Sequence, residues 1–211
     1  MKRWIFVVAL GIVSTLASGA AQALTISSAA VGSGRGCIDQ ACTNQTLKWS
    51  SSSGTGTGSL TLAANVLTFS VNLPSSIFIP ISGGNDNGVT QLAFTTTTYS
   101  GSATLNPLGG GFYSILSGSA SISGTQTPTG AGIGGAFSAA NALLSGSCTD
   151  SGASVSCGIV FGPSNDFDFA VNGQTRWFTH TVNMTAVPEP GTALLLASGL
   201  LGLAFAGSRR R

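Results

Sequence analysis

The chain has 211 residues and a formal charge of +2, and only 7% of its residues are charged, against about 25% in an ordinary soluble domain. Most of the positive charge sits at the ends, in Lys2, Arg3, Arg209, Arg210 and Arg211, while the interior sets Arg35, Lys48 and Arg176 against Asp39, Asp86, Asp150, Asp166 and Asp168. With no cluster of Lys or Arg in the interior to displace counterions, nucleic acid is excluded as a partner. Gly, Ser and Thr fill the space that charge leaves. Clear apolar alternation and two spaced cysteine pairs nonetheless argue for a folded domain rather than disorder.

The first element is a targeting segment. Lys2 and Arg3 precede an apolar run from Trp4 to Leu16, and small residues follow up to Ala21-Gln22-Ala23. These are the charged, apolar and A-x-A parts of a secretory signal peptide, which predicts a signal helix within residues 1–23, export by the general secretory machinery and cleavage after Ala23.

Residues 24–186 then read as one exported Gly/Ser/Thr-rich domain. Leu67, Phe69, Val71 and Leu73 alternate with Thr68, Ser70 and Asn72, the period of a half-buried strand. Thr90, Leu92, Phe94 and Thr96 share a second strand face, and 112–116 and 120–123 are shorter candidates. Gly and Pro punctuate these runs, at Pro74, Gly83-Gly84, Pro107, Gly109 to Gly111, Pro128 and Pro163. Ala136 to Leu144 has the composition of one short helix. Val155, Cys157, Ile159 and Phe161 alternate again. The pattern predicts an all-β sandwich or barrel-like domain of short antiparallel strands.

Two hairpins follow from turn chemistry. Gly152-Ala153 suits a type II′ turn, and counting outward places Asp150 opposite Val155, Thr149 opposite Ser156 and Cys148 opposite Cys157. Cys148 and Cys157 then occupy a non-hydrogen-bonded pair, whose short Cα separation is within disulfide range. Cys37 and Cys42 are near enough in sequence to bridge within one loop. Four cysteines allow three pairings; an oxidising compartment and these spacings favour Cys37–Cys42 with Cys148–Cys157. The C-x₄-C and C-x₈-C spacings are poor for zinc. The second hairpin turns at Asn172-Gly173 and joins Asp166–Val171 to Gln174–Met184, with Phe167 opposite Phe178.

The chemistry-bearing residues are sparse. His180 is the one histidine, and it lies on a strand face with Phe178, Val182 and Met184, which reads as a buried structural residue. No serine sits in a G-x-S-x-G strand–turn–helix context. Asp166 and Asp168 share the wet face of one strand. Asn85-Asp86-Asn87-Gly88 has oxygen ligands but lacks the full series and closing glutamate of a calcium loop, so it reads as a surface turn. No catalytic residue, metal site or cofactor is predicted.

The last element, 187–211, has three parts. Val187-Pro188-Glu189-Pro190-Gly191 is stiff and extended, since each proline fixes its own φ and keeps the preceding residue out of the helical region. Thr192 to Gly207 is apolar and uncharged, which predicts a transmembrane helix over about 192–207. Ser198, Gly202 and Ala206 fall at helical spacing along it, as a small-residue packing face would require. Arg209, Arg210 and Arg211 form a cytoplasmic stop, and Lys2 and Arg3 place the other end on the same side of the inner membrane.

Pro188-Glu189-Pro190, followed at once by an apolar span and a terminal Arg cluster, resembles the PEP-CTERM sorting signal of Gram-negative bacteria. The resemblance is confined to about the last 25 residues. It implies exosortase as a partner: the tail is held transiently in the inner membrane and cut near the triplet, and the body passes to the cell surface or extracellular matrix. The carboxylate of Glu189, the one glutamate in the chain, is the expected recognition handle. At family level such systems accompany exopolysaccharide and biofilm formation, so the first expectation for the domain is a structural matrix component in contact with extracellular polysaccharide. The alternative is a carbohydrate-binding or adhesin module, calcium-assisted through Asp86 or Asp166 and Asp168. A secreted hydrolase using His180 ranks third.

Overall fold

A computed structural model describes residues 21–53, 55–81, 86–164, 176–189 and 198–200 of the chain. Nine strands succeed one another: β1 Gln22–Cys37, β2 Gln45–Ser53, β3 Thr57–Ala63, β4 Val66–Pro80, β5 Val89–Gly109, β6 Phe112–Gly130, β7 Gly135–Asp150, β8 Val155–Ser164 and β9 Trp177–Pro188. Every pairing is antiparallel. β2 and β3 share one place in the ring. β2 pairs with Arg35–Cys37 of β1 and with Ser75–Pro80 of β4, while β3 pairs with Gln22–Ile26 and Val66–Asn72 of the same two strands. β9 pairs with β1 from Leu24↔Pro188 to Cys37↔Trp177 and closes the ring. Of the two architectures expected, the chain therefore adopts the barrel.

The strands are tilted. Neighbours paired across the sheet lead from Leu24 through Leu60, Phe69, Gly101, Ala120 and Ala142; from Leu144, two residues further along β7, Phe161 and His180 lead back to β1 at Gly34 rather than to Leu24. That stagger is what closure of a small barrel requires.

The strands are long, not short. Candidates expected as separate pieces at 112–116 and 120–123 are one strand, β6, and β5 runs for 21 residues. The reason lies in bulges. On β4 the buried residues are Leu67, Phe69, Val71 and Leu73, and then Ser76, Phe78 and Pro80; the phase changes at Pro74. On β5 Leu92 and Phe94 give way to Thr97 and Tyr99, with Thr96 between them at a φ of 50°. On β7 Phe137 and Ala139 give way to Ala142 and Leu144 around Asn141, whose φ is 59°. An extra residue bends the strand and inverts its alternation, so the same face of the barrel stays apolar. Pro74, without an N–H to offer, marks the phase change on β4, where the β4–β5 register itself continues unshifted from Leu73↔Thr97 to Ser75↔Thr95.

The helix expected over Ala136–Leu144 is absent; these residues lie in β7. Alanine's helical preference is a weak local term. Here pairing with β6 and β8 on both sides, and burial of Phe137, Ala139, Ala142 and Leu144, decide the outcome.

The Gly152-Ala153 hairpin forms as expected. Asp150↔Val155, Thr149↔Ser156 and Cys148↔Cys157 are in register, and Ser151 N–H donates to Ser154 O at 3.0 Å. Gly152 has the left-handed φ, 78°, that the turn requires. Cys148–Cys157 is bridged with a Cα separation of 4.1 Å, and Cys37–Cys42 with 5.0 Å. The other hairpin differs. Phe178 pairs with Ser164, not Phe167, so β9 is three residues out of the expected register. The Asn172-Gly173 turn itself, Asp166 and Asp168 lie outside the described residues, as do the signal helix and, apart from the helical turn at 198–200, the tail span. Among the described residues no helix is long and apolar enough to cross a membrane.

Aromatic rings fill the barrel. Phe78, Phe94, Phe137 and Phe178 meet edge to face at centroid distances of 5.3–5.9 Å. Below them Phe69, Tyr99, Phe161 and His180 form a second cluster. Each such pair adds about 0.5–1.5 kcal/mol beyond simple burial.

At the end of the barrel away from the termini lies an ion pair. Asp86 and Val89 exchange backbone hydrogen bonds of 2.9 and 3.0 Å around a turn in which Asn87 and Gly88 both have positive φ. This turn points Asp86 inward, where Arg176 donates to both carboxylate oxygens, with Nε–Oδ2 at 2.9 Å. Both side chains are buried. Burial pushes the Asp86 carboxyl up, but hydrogen bonds from Arg176 and Thr46, with the Arg176 charge, outweigh it and hold the group below the usual carboxylate range. Removing one charge of a buried pair is worse than never having built it. Asp86→Asn is thus expected to cost about 3–5 kcal/mol in chemical denaturation, and the double replacement Asp86→Leu/Arg176→Leu to recover most of that loss.

Candidate functional site

His180 is the residue from which sequence-based enzymology would start, and it is built into the wall of the core. It is 5% exposed, stacks on Phe161 at 5.5 Å and meets Tyr99 edge-on at 5.4 Å. Burial pushes its ring down from 6.5 to about 4, so the imidazole is neutral at pH 7. Ser76 and Thr97 share a cavity with it, between Phe78, Phe94, Phe137 and Phe178, but that cavity is about 10 Å³. This is the room of about one water molecule. Among the described residues the one buried carboxylate, Asp86, is engaged by Arg176. The same pairing takes Asp86 out of the candidate calcium ligands. No group of three or more metal-ligating side chains occurs among the described residues.

The sorting residues occupy a different place, at the end of the barrel where both termini emerge. β9 has its last rung at Pro188, opposite Leu24 of β1, after Ala186↔Ile26 and Val187↔Thr25. Pro188 lacks an N–H, so it suits the end of a ladder. Ala186 is fully buried, Val187 and Pro188 are half-buried, and Glu189 is exposed. The order of burial follows the order of sequence: the last core residue, a terminal rung, then exposed Glu189. Pro190, Arg209, Arg210 and Arg211 lie outside the described residues.

Across the same rung lies the other expected processing point. Ala21 and Ala23 are exposed, and Gln22 and Ala23 pair with Leu62 and Thr61 of β3. Cleavage after Ala23 would make Leu24 the first residue, paired with Leu60 on one side and Pro188 on the other. Leu24 is 2% exposed, so the body would begin with a core residue. The fold thus brings Ala21 and Ala23 together with Pro188 and Glu189, residues at opposite ends of the sequence. Nothing in the sequence alone indicates this, because it follows from closure of β1 on β9. The two disulfides have separate places. Cys37–Cys42 closes a loop at the far end, where the Asp39 carboxylate accepts from Thr43 N, Thr43 Oγ1 and Asn44 N at 2.9 Å each. The backbone hydrogen bonds from Thr43 and Asn44 hold that carboxyl below its ordinary value. Cys148–Cys157 staples β7 to β8.

Burial of neutral His180 has a pH consequence. Its folded value near 4 lies below the ordinary 6.5, so between those values the unfolded chain binds a proton that the fold refuses. His180 therefore costs nothing above pH of about 6.5 and withdraws up to about 3 kcal/mol as the pH falls toward 4. His180→Leu should reduce the drop in urea midpoint between pH 7 and pH 4.5; an unchanged drop would place the imidazole in water.

Comparison with known proteins identifies one region. No curated protein and no solved structure matches the chain. Residues 186–211, which begin on the last fully buried residue of β9, match the PEP-CTERM protein-sorting motif, and the motif implies an exported protein, held transiently in the membrane at its C-terminus and sorted by exosortase.

Proposed function

We propose that the barrel is a non-enzymatic structural component of an extracellular polysaccharide or biofilm matrix, released at the cell surface when its tail is cut near Pro188-Glu189-Pro190. The observation that carries this reading is the outer surface. Hydroxyl and amide side chains stand in register across neighbouring strands: Thr25, Ser59, Ser70, Ser100 and Ser121 in one row, and Thr57, Asn72, Thr98, Ser123 and Ser138 in another. Strands lie about 4.8 Å apart and alternate residues about 7 Å apart. The barrel thus carries a regular grid of neutral donors and acceptors. Such a grid suits many weak contacts with a hydrated polysaccharide. It is also the inverse of a lipid-facing barrel wall, whose outward residues are apolar.

The adhesin reading draws on a groove of about 460 Å³ outside β7, β8, β9 and β1, lined by Ser147, Thr149, Ser156, Asn183 and Thr185 among others. Its lining residues include no aromatic ring on which a sugar could stack, whereas specific small-ligand sites are largely apolar and aromatic. The groove therefore supports the matrix reading over the lectin one. Of the carboxylates considered for calcium, Asp86 is already paired with Arg176.

Sorting is tested at Glu189. Glu189→Ala should leave an uncut, membrane-bound form in cells that contain exosortase, matching the wild-type chain in cells that lack it. Unchanged size and location in both strains would show that the triplet is not being read.

A further inference from the structure

We infer that the β5–β6 hairpin tip is a membrane-contacting loop, which seats the barrel on the bilayer while the tail is still in place. The proposal rests on reading 192–207 as a membrane span.

The argument begins with the tether. β9 has its last rung at Pro188, and Thr192 opens the apolar run four residues later. Four extended residues reach at most about 14 Å. The terminal end of the barrel is therefore held close to the bilayer surface. Because the strands alternate in direction, that end also carries three turns: β3–β4 at Ala64–Asn65, β5–β6 at Gly109–Gly111 and β7–β8 at Gly152–Ala153.

The three turns differ in chemistry. β7–β8 is short and polar, and the Asp150 carboxylate accepts from Gly152 N at 2.7 Å. β3–β4 offers Ala64 and Asn65, with Val66 behind them. The β5–β6 turn is flanked by two large apolar side chains held in solvent, Leu108 at 64% exposure and Phe112 at 54%. Residues 104–117 contain no charge, so no ionised side chain of the hairpin resists transfer out of water. Gly111 is fixed by its neighbour, because a Cβ there would strike the carbonyl oxygen of Asp150. A side chain at Gly109 would meet nothing within 4 Å, so the tip stands clear of the rest of the barrel. An exposed apolar pair on an uncharged, projecting turn, tethered beside a bilayer, matches a shallow interfacial anchor, with Phe112 and half-buried Tyr113 suited to the headgroup level.

The described exposed cations, Arg35 and Lys48, face each other across β1 and β2 toward the other end of the barrel. Contact should therefore not need anionic lipid. Seating would hold Glu189 at the bilayer surface, where a membrane-embedded enzyme can reach it. Once the tail is cut, one small loop remains as an anchor, and the body can leave.

The test uses the full chain in phosphatidylcholine vesicles. All four native cysteines are paired, so a single Leu108→Cys accepts one environment-sensitive dye. Ile133→Cys is the matched control, since Ile133 is also exposed, at 61%, but sits in the β6–β7 turn at the opposite end. Near-UV dichroism of the aromatic core checks folding, and Phe112→Cys replaces Leu108→Cys if that chain fails it. The expected result is blue-shifted emission at Leu108, quenched by bromine on the lipid acyl chains and insensitive to salt, with Ile133 emitting as in water. Flotation separates the two ways to fail. A chain that floats with the vesicles while its Leu108 dye stays in water keeps the span and overturns the proposal. A chain that does not float overturns the span and the proposal with it. A blue shift that appears without vesicles and grows with protein concentration would assign the tip to a second copy of the chain instead.

Discussion

The closing ladder between β1 and β9 is the interaction on which the rest of the structure depends. A sheet of this length left open would present two rows of unpaired backbone groups, an invitation to pair with other chains. Closure removes both edges. It also sets the inside and the outside. Once the ring is shut, every alternation along every strand sorts a residue either into the aromatic core or into the hydroxyl-bearing surface. The bulges at Thr96 and Asn141, with the phase change at Pro74, are the cost of bending long strands around so small a circumference, and they preserve that sorting.

The same ladder positions the sorting signal. Its terminal rung, Leu24↔Pro188, is both the end of the fold and the start of the tail. A protein that must be exported, held and then cut needs its body to remain intact when either end is removed. Here each expected cut falls beyond the last buried residue of its strand: Ala23 precedes Leu24, and Pro188-Glu189-Pro190 follows Ala186. Removing the two targeting segments leaves the hydrophobic core whole. The motif makes exosortase the processing partner, and the chain supplies the proline-flanked Glu189 directly after the last rung of β9.

Much of this is legible in the amino-acid order alone. The tail can be read because its information is linear: a triplet, an apolar run and a basic stop, in that order. The Cys148–Cys157 pair can be read because a two-residue turn fixes register by counting. What escapes is everything set by partners distant in sequence. Arg176 and Asp86 are 90 residues apart, and no local pattern announces that they meet. Alanine-rich 136–144 looks helical on its own and is a strand because β6 and β8 flank it. The alternation through Leu92, Phe94 and Thr96 breaks at a bulge, so Thr97 rather than Thr96 faces the core. Phe178 meets Ser164, three residues from the register that counting outward from Asn172-Gly173 would set.

The central claim is that β1 and β9 close the barrel and so bring the two ends of the body onto one rung. Thr25 and Val187 are neighbours across that ladder; Thr25 follows the first expected cut, and Val187 stands just before the Pro188-Glu189-Pro190 triplet. The direct measurement is oxidation of a chain carrying Thr25→Cys and Val187→Cys, read as a reductant-sensitive mobility shift and mapped by mass spectrometry. Closure predicts a bridge between the two introduced thiols, formed within one chain, with the two native disulfides retained. A folded chain that leaves both introduced thiols free, or bridges them only between molecules, would contradict it.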